Sequence, residues 1–277
     1  MQDSLYRIFL VFSLTILFFT GCSRDDMSFG SGATTGQTQQ GTGMDGIYLA
    51  AVNDPRRPAE DVARDAGRKP FEVMKFFGIK PGQRVVDFRS GTGYFTRIIA
   101  VIVGTEGSVI AHNSGSRLND RLINDEFKAE MLEQYASYGN VEVNYEDIQS
   151  MSYPDNSVDV VLVSLDFHHW HHSEDSGEFI PQMSLERLDN VMRMLKPGGR
   201  LAIIDHEAAQ GMSREASDAI HRIPRATAIA DIGLAGFEFI AESDVHTNHP
   251  DDDMTIRWTR EPRDATVRIV QLYRKPL

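Results

Sequence analysis

Apolar positions along this chain switch repeatedly between a period near two and a period near 3.6. Arg84-Val85-Val86-Asp87-Phe88 is a short β-forming run; after Gly91 and Gly93 the apolar spacing turns helical at Phe95, Ile98, Ile99 and Ile102. The same change recurs downstream. Strands are expected at 83–88, 108–112, 141–145, 157–164, 201–205, 238–241 and 268–273. Helices are expected at 59–69, 71–77, 94–103, 119–138, 185–195, 213–223 and 224–234. Ser157–Ser164 is apolar almost without a break, as in a parallel strand covered on both faces. Pro70 suits the first turn of a helix, and Gly78 its end. Residues 47–58, with the turn signal Asn53-Asp54-Pro55, read as irregular. Residues 242–264, acidic at Asp251–Asp253, read as a surface loop. The alternation implies an α/β, doubly wound, mostly parallel sheet. No internal repeat is present.

Before residue 46 the pattern is different. Residues 23–45 are rich in Gly, Ser, Thr and Gln and carry too little apolar surface to fold, so they read as a flexible tether. Ile8–Thr20 is an apolar run too short to span a bilayer comfortably, preceded by Arg7, which fits a signal-peptide core. It ends in Phe19-Thr20-Gly21-Cys22, which resembles the bacterial lipoprotein cleavage box and holds the single cysteine of the chain. The resulting division is a lipoprotein signal peptide at 1–22, a tether at 23–45 and one domain at 46–277. Lipidated Cys22 would hold that domain on a membrane, in the periplasm-facing bacterial cell envelope. One cysteine excludes an intrachain disulfide. The net charge of −12 over 277 residues argues against generic nucleic-acid binding, which needs a basic face.

The candidate chemistry clusters where strands end. A strand feeding a helix through Gly91 and Gly93 leaves backbone N–H groups free at the helix start and lets a ligand approach closely, which favours a nucleotide-like ligand. Asp87 sits near the end of that strand. Asn113, at the end of the second strand, either meets ribose hydroxyls or caps the turn. Asp166-Phe167-His168-His169-Trp170-His171-His172 follows the fourth strand, at the edge where open α/β sheets place ligands. His168 and His169 are candidate proton acceptors, and Trp170 a candidate wall. Asp205-His206 ends the fifth strand on the same edge, as an orienting carboxylate–imidazole pair or a substrate contact. His221 is placed to reach the same region from a helix. The histidine run, with Asp166, Glu174 or Asp175, also suggests metal; ligands so close in sequence seldom all point inward, and no metal site is assigned.

Asp87-x-Arg89-x-Gly91-x-Gly93 resembles the first motif of class I S-adenosylmethionine-dependent methyltransferases, and Leu195-Lys196-Pro197-Gly198-Gly199 before an apolar strand resembles a later one. Further segments, among them 76–82, Asp205-His206, His221-Arg222-Ile223 and 241–244, resemble a branch of predicted exported bacterial methyltransferases. The resemblance covers roughly residues 55–276. It implies a Rossmann-like, seven-stranded sheet with an antiparallel last strand, and S-adenosylmethionine as cofactor. It implies cofactor contacts from Asp87, Arg89, Gly91, Gly93, Asn113 and Asp147, the last beside the adenine amino group. It places the acceptor near His168, His169, Asp205, His206 and His221, the acceptor being an unidentified small molecule or envelope component. Arg89 departs from the motif, which has glycine there; the arginine either pairs with the cofactor carboxylate or fills its pocket. An envelope location, away from the cytoplasmic cofactor supply, keeps open a second expectation: a non-catalytic binding protein of methyltransferase fold that has lost the cofactor.

Overall fold

Strand β1, Arg84–Phe88, lies in the middle of the sheet, hydrogen-bonded to β2 (Ser108–His112) on one side and β4 (Val158–Ser164) on the other. The computed structural model describes residues 43–113, 123–147, 151–171, 180, 182–258 and 264–277. The expected signal peptide, the tether up to residue 42, and His172, Glu174 and Asp175 lie outside the described residues. The remaining strands are β3 (Val141–Asn144), β5 (Leu195–His206), β6 (Glu238–Glu242) and β7 (Arg268–Arg274). The order is β3-β2-β1-β4-β5-β7-β6. The strands from β3 to β5 pair in parallel, and β7 runs antiparallel to both of its neighbours. The chain winds outward from β1 to β3, then crosses back to β4. The crevice outside the carboxyl ends of β1 and β4 is therefore the topological switch point, where such sheets bind ligands.

Helices cover both faces. α1 (Met44–Val52), α4 (Pro70–Phe77) and α5 (Tyr94–Val103) share one core with Val85, Val109, Val160, Leu162, Ala202 and Val270. α7 (Met183–Met194) and α9 (Arg225–Leu234) share the other with Val86, Phe88, Val161, Val163, Ile203 and Ile269. Successive strand residues divide between the two cores because side chains alternate across a strand. Ile98 and Ile99 of α5 are fully buried; burial of such side chains contributes roughly 1.5–3 kcal/mol each. α6 (Asp125–Ala136) packs Met131 and Tyr135 against Ala111 of β2. α8 (Arg214–Ala219) completes the set. Among the described residues no helix is long and apolar enough to cross a membrane.

Three expectations change. The first half of the stretch read as irregular is helical: α1 starts at Met44, inside the expected end of the tether, and its Tyr48 is buried with its hydroxyl donating to Ile79 O at 3.0 Å. The apolar stripe was too short for its period to register. Residues 59–69 form two single-turn helices, α2 (Ala59–Val62) and α3 (Asp65–Arg68), rather than one. The break falls at Ala63–Arg64, and Lys69, in left-handed backbone at φ 43°, ends α3 before Pro70 opens α4. β5 is also longer than expected, since the 195–199 turn joins it.

Candidate functional site

Arg89, Gly91 and Gly93 all adopt positive φ, at 51°, 57° and 85°. The loop thus needs left-handed backbone at the three alternating positions where the motif has glycine, and Arg89 takes that conformation at a steric cost of roughly 1 kcal/mol. A Cβ on Gly91 would meet nothing within 4 Å, so this glycine borders open space. A Cβ on Gly93 would lie 2.1 Å from the Tyr135 hydroxyl, so that glycine is required by the approach of α6. Asp87 is buried and accepts a hydrogen bond from Thr96 Oγ1 at 2.6 Å. Burial pushes its carboxyl up to about 6, against the lowering effects of the Thr96 hydrogen bond and the Arg68 charge.

Asn113 binds its own glycine loop. Its Oδ1 accepts from Gly91 N at 2.9 Å, and its Nδ2 donates to Ser90 Oγ and Gly91 O, both at 3.1 Å. Its side-chain amide spans 22 residues to fix the glycine loop, which is why its polar atoms are spent inside the protein. Asp147 is half-buried beyond the carboxyl end of β3, on the same edge of the sheet.

A cavity of about 230 Å³ opens at the β1–β4 switch point, lined among others by Arg64, Arg68, Asp87, Arg89, Gly91 and Ser164. Arg89 lines it with Nε 3.4 Å from Asp166 Oδ1, so its side chain reaches the β4 side without closing the space. Arg64 and Arg68 come from the segment before α4 and converge on Asp264, with Nε–Oδ distances of 2.8 and 3.0 Å. Arg268 joins them at 3.1 Å. Burial alone would raise the Asp264 carboxyl, but the Arg64 hydrogen bond and the charges of Arg68 and Arg268 hold it well below the usual carboxylate range. Of these, Arg64 and Arg68 line the cleft together with Arg89, and three guanidinium groups there suit a carboxylate-bearing ligand. The sequence reading missed Arg64, Arg68 and Asp264. The available signal was the i, i+4 spacing of the two arginines, which puts them on one helix face; nothing local pointed to Asp264, 200 residues away.

The histidines gather beside this cleft. His168 and His169 lie in a single 3₁₀ turn, Phe167–His169, after β4. Asp205, fully buried near the end of β5, accepts from His168 N at 2.7 Å and from His206 N at 2.8 Å, and its Oδ1 lies 2.7 Å from His168 Nδ1. Burial would lower the His168 imidazole, but the Asp205 charge and hydrogen bond raise it. His168 Nε2 is buried and has no hydrogen-bond partner among the described residues. His221, at φ 55°, brings Nδ1 to 3.3 Å from His169 Nε2. Burial and the neighbouring His168 push His169 down to about 3.

Two expected roles are corrected. Asp205 orients His168 and not the ring of His206. His206 Nδ1 lies 2.8 Å from Thr266 Oγ1, its ring stacks on Trp258 at 4.5 Å, and burial holds it well below its ordinary value. The His206 ring stays near His168, with centroids 6.1 Å apart, but its Nδ1 is engaged by Thr266 and not by Asp205. Trp170 is a core residue rather than a wall: it packs edge-on against Phe88 at 5.1 Å, with its indole N–H on Asp166 at 3.0 Å. His171 turns elsewhere, 3.3 Å from Asp231.

A seven-stranded sheet in this order, with β7 antiparallel and the cleft at the β1–β4 switch point, is the Rossmann-like methyltransferase fold. A family model described as "Methyltransferase domain" matches residues 86–203. Over that stretch the chain is similar to methyltransferase domains, and its sheet has the fold of the class I S-adenosylmethionine-dependent methyltransferases. It is 32% identical over 133 residues to the ubiquinone/menaquinone biosynthesis C-methyltransferase UbiE of Ectopseudomonas mendocina, covering 48% of this chain and 45% of that protein. It is 26% identical over 188 residues to the UbiE of Hydrogenovibrio crunogenus, covering 65% of each. The chain therefore spans between about half and two thirds of the length of these curated relatives. In fold it is similar to a SAM-dependent methyltransferase from Aquifex aeolicus, with a TM-score of 0.52 at 22% identity, covering 81% of this chain and 96% of that one.

Proposed function

We propose that this protein transfers a methyl group from S-adenosylmethionine to an acceptor held at the histidine cluster. The observation that carries the reading is the cavity between β1 and β4, bordered by the open side of Gly91 and by three arginines. Those residues fit the cofactor: a glycine without a Cβ admits an adenosyl group, and guanidinium groups match the carboxylate of its amino-acid end. Arg64, Arg68 and Arg89 would hold that carboxylate, and Asp87, Gly91 and Gly93 would shape the wall beside it. When bound, the cofactor supplies an electrophilic methyl group on a sulfonium sulfur. The chain's own contribution is proximity and electron-pair donation. Holding donor and acceptor side by side removes much of the entropic barrier. Asp205 holds His168 through Nδ1, which directs Nε2 toward the other histidines of the cluster.

The acceptor is a small molecule or an envelope component in this reading. The UbiE relatives, named as C-methyltransferases of ubiquinone/menaquinone biosynthesis, make a carbon acceptor one to test, beside hydroxyl, amine and thiol acceptors. Cys22 is taken as the lipid anchor, a reading that rests on the Phe19–Cys22 box alone and that mass spectrometry of the mature amino terminus tests. The enzyme reading is tested by calorimetry of the full-length chain with S-adenosylmethionine and its demethylated product. Saturable binding of both is expected. Absence of heat at millimolar ligand would overturn it in favour of a binding protein without the cofactor.

A further inference from the structure

We infer that His168, His169 and His221 form a three-histidine site for a divalent transition metal of the zinc class, with its fourth position open. One ring nitrogen from each lies within 4.8 Å of the other two. The His169 Nε2 to His221 Nδ1 separation is 3.3 Å. A tetrahedral ion with Zn–N bonds of about 2.0–2.1 Å needs ligand nitrogens about 3.3–3.4 Å apart, so this pair already has the required edge. A hydrogen bond between these two rings would account for that distance alone. It would leave His168 Nε2 buried and unpaired, at a cost of roughly 1–3 kcal/mol. A metal ion engages all three nitrogens.

The outer shell points the same way. A metal-bound imidazole donates its remote N–H to a carboxylate, which fixes ring and tautomer. Asp205 makes this contact with His168 Nδ1 at 2.7 Å, and is itself held by the backbone N–H groups of His168 and His206. His221 comes from a segment 52 residues away and is held in left-handed backbone. That is how two ligands adjacent in sequence gain a third from another direction. Imidazole donors without thiolate suit zinc, copper, nickel or cobalt rather than magnesium or calcium. The metal site stands on this geometry alone. Its use does rest on methyl transfer: an ion held there would lower the pKa of a coordinated hydroxyl or thiol, whose proton would pass to solvent and leave the acceptor as its anion.

The test is cobalt(II) titration of the full-length chain, expressed without a polyhistidine tag, read by visible absorption and by metal stoichiometry. One equivalent per chain is expected, with the d–d bands of a four-coordinate ion, displaced by zinc. His169→Gln and His221→Gln should abolish the bands while circular dichroism and cofactor calorimetry stay unchanged. Asp205→Asn should weaken cobalt binding about 10–100-fold as an outer-shell change. His249→Gln, outside the cluster, should bind as the wild type does. Failure of the wild type to take up cobalt, or equal uptake by the His169 and His221 variants, overturns the site. Cobalt uptake without cofactor binding would overturn the methyltransferase reading and leave the metal site standing; cofactor binding without cobalt uptake would do the reverse.

Discussion

Replacing Asp264 with Asn removes one negative charge from the centre of three guanidinium groups. The carboxylate accepts from Arg64 Nε at 2.8 Å, Arg68 Nε at 3.0 Å and Arg268 Nη2 at 3.1 Å. The Asp264 side chain is 5% exposed, and the three arginines 15%, 12% and 3%. Asn keeps the shape, but offers a neutral oxygen and adds a donor among donors. Breaking a buried ion pair from one side costs about 3–5 kcal/mol. Arg64 and Arg68 retain some access to water, so the lower figure applies. About 3 kcal/mol in a domain of this size lowers Tm by roughly 6–12 °C. The pH dependence has a definite sign. The folded carboxyl lies below its unfolded value, so its contribution is complete above the unfolded value of about 3.9 and is lost as pH falls through the folded one. The gap in Tm between wild type and Asp264→Asn should therefore be constant from pH 7 to about 5 and shrink below about 4. Calorimetric scans across that range measure it, with Asp251→Asn, an exposed acid, as the control showing no gap. A gap at pH 7 below about 1 kcal/mol, or one that persists undiminished into strong acid, would refute the reasoning.

Three further outcomes are expected. Gly93→Ala places a methyl 2.1 Å from the Tyr135 hydroxyl in backbone at φ 85° and should cost several kcal/mol in urea unfolding; Tyr135→Ala in the same chain should restore part of that loss, and no loss at all would contradict the contact. Asp87→Asn should raise Tm at pH 8 and leave it unchanged below about pH 4, because a carboxyl whose pKa burial raises to about 6 loses stability as pH climbs from about 4 to 6, on the order of 2–3 kcal/mol; equal Tm values at both ends would refute it. Arg89→Gly should leave stability within about 1 kcal/mol, since relief of left-handed strain offsets the lost contact to Asp166, while calorimetry should show cofactor affinity falling about tenfold through loss of a charge-assisted contact. Tighter cofactor binding would instead identify Arg89 as an obstruction.

The strands were legible because each is a short apolar run bounded by turn residues. β2 falls on Ser108–His112, and β4 on Val158–Ser164, within a residue of the reading from pattern alone. Helices that gain little from periodicity were not legible: α1 is stabilised by burying Tyr48 and Ala51 against the neighbouring core, a tertiary effect. The glycine loop was legible as a motif, but Arg89 raised a question that only backbone conformation answers. Asn113 shows the same limit. An amide at the end of β2 has donor and acceptor capacity for a ribose or for its own loop, and its contacts to Ser90 and Gly91 become visible only once the loop is in place. The Asp205–His168 pair joins residues 37 apart, while the ring of the tempting sequence neighbour His206 pairs with Thr266.

β7 is the last strand in chain order, yet it lies between β5 and β6. Until Arg268–Arg274 has been synthesised and set in place, β6 has nothing to bond to and β5 keeps a bare flank. A growing chain can assemble the β1–β5 portion while still attached to the ribosome, but it cannot finish the sheet there until those residues emerge from the exit tunnel. The sheet is thereby sealed only when its most distant strand returns to the space between β5 and β6.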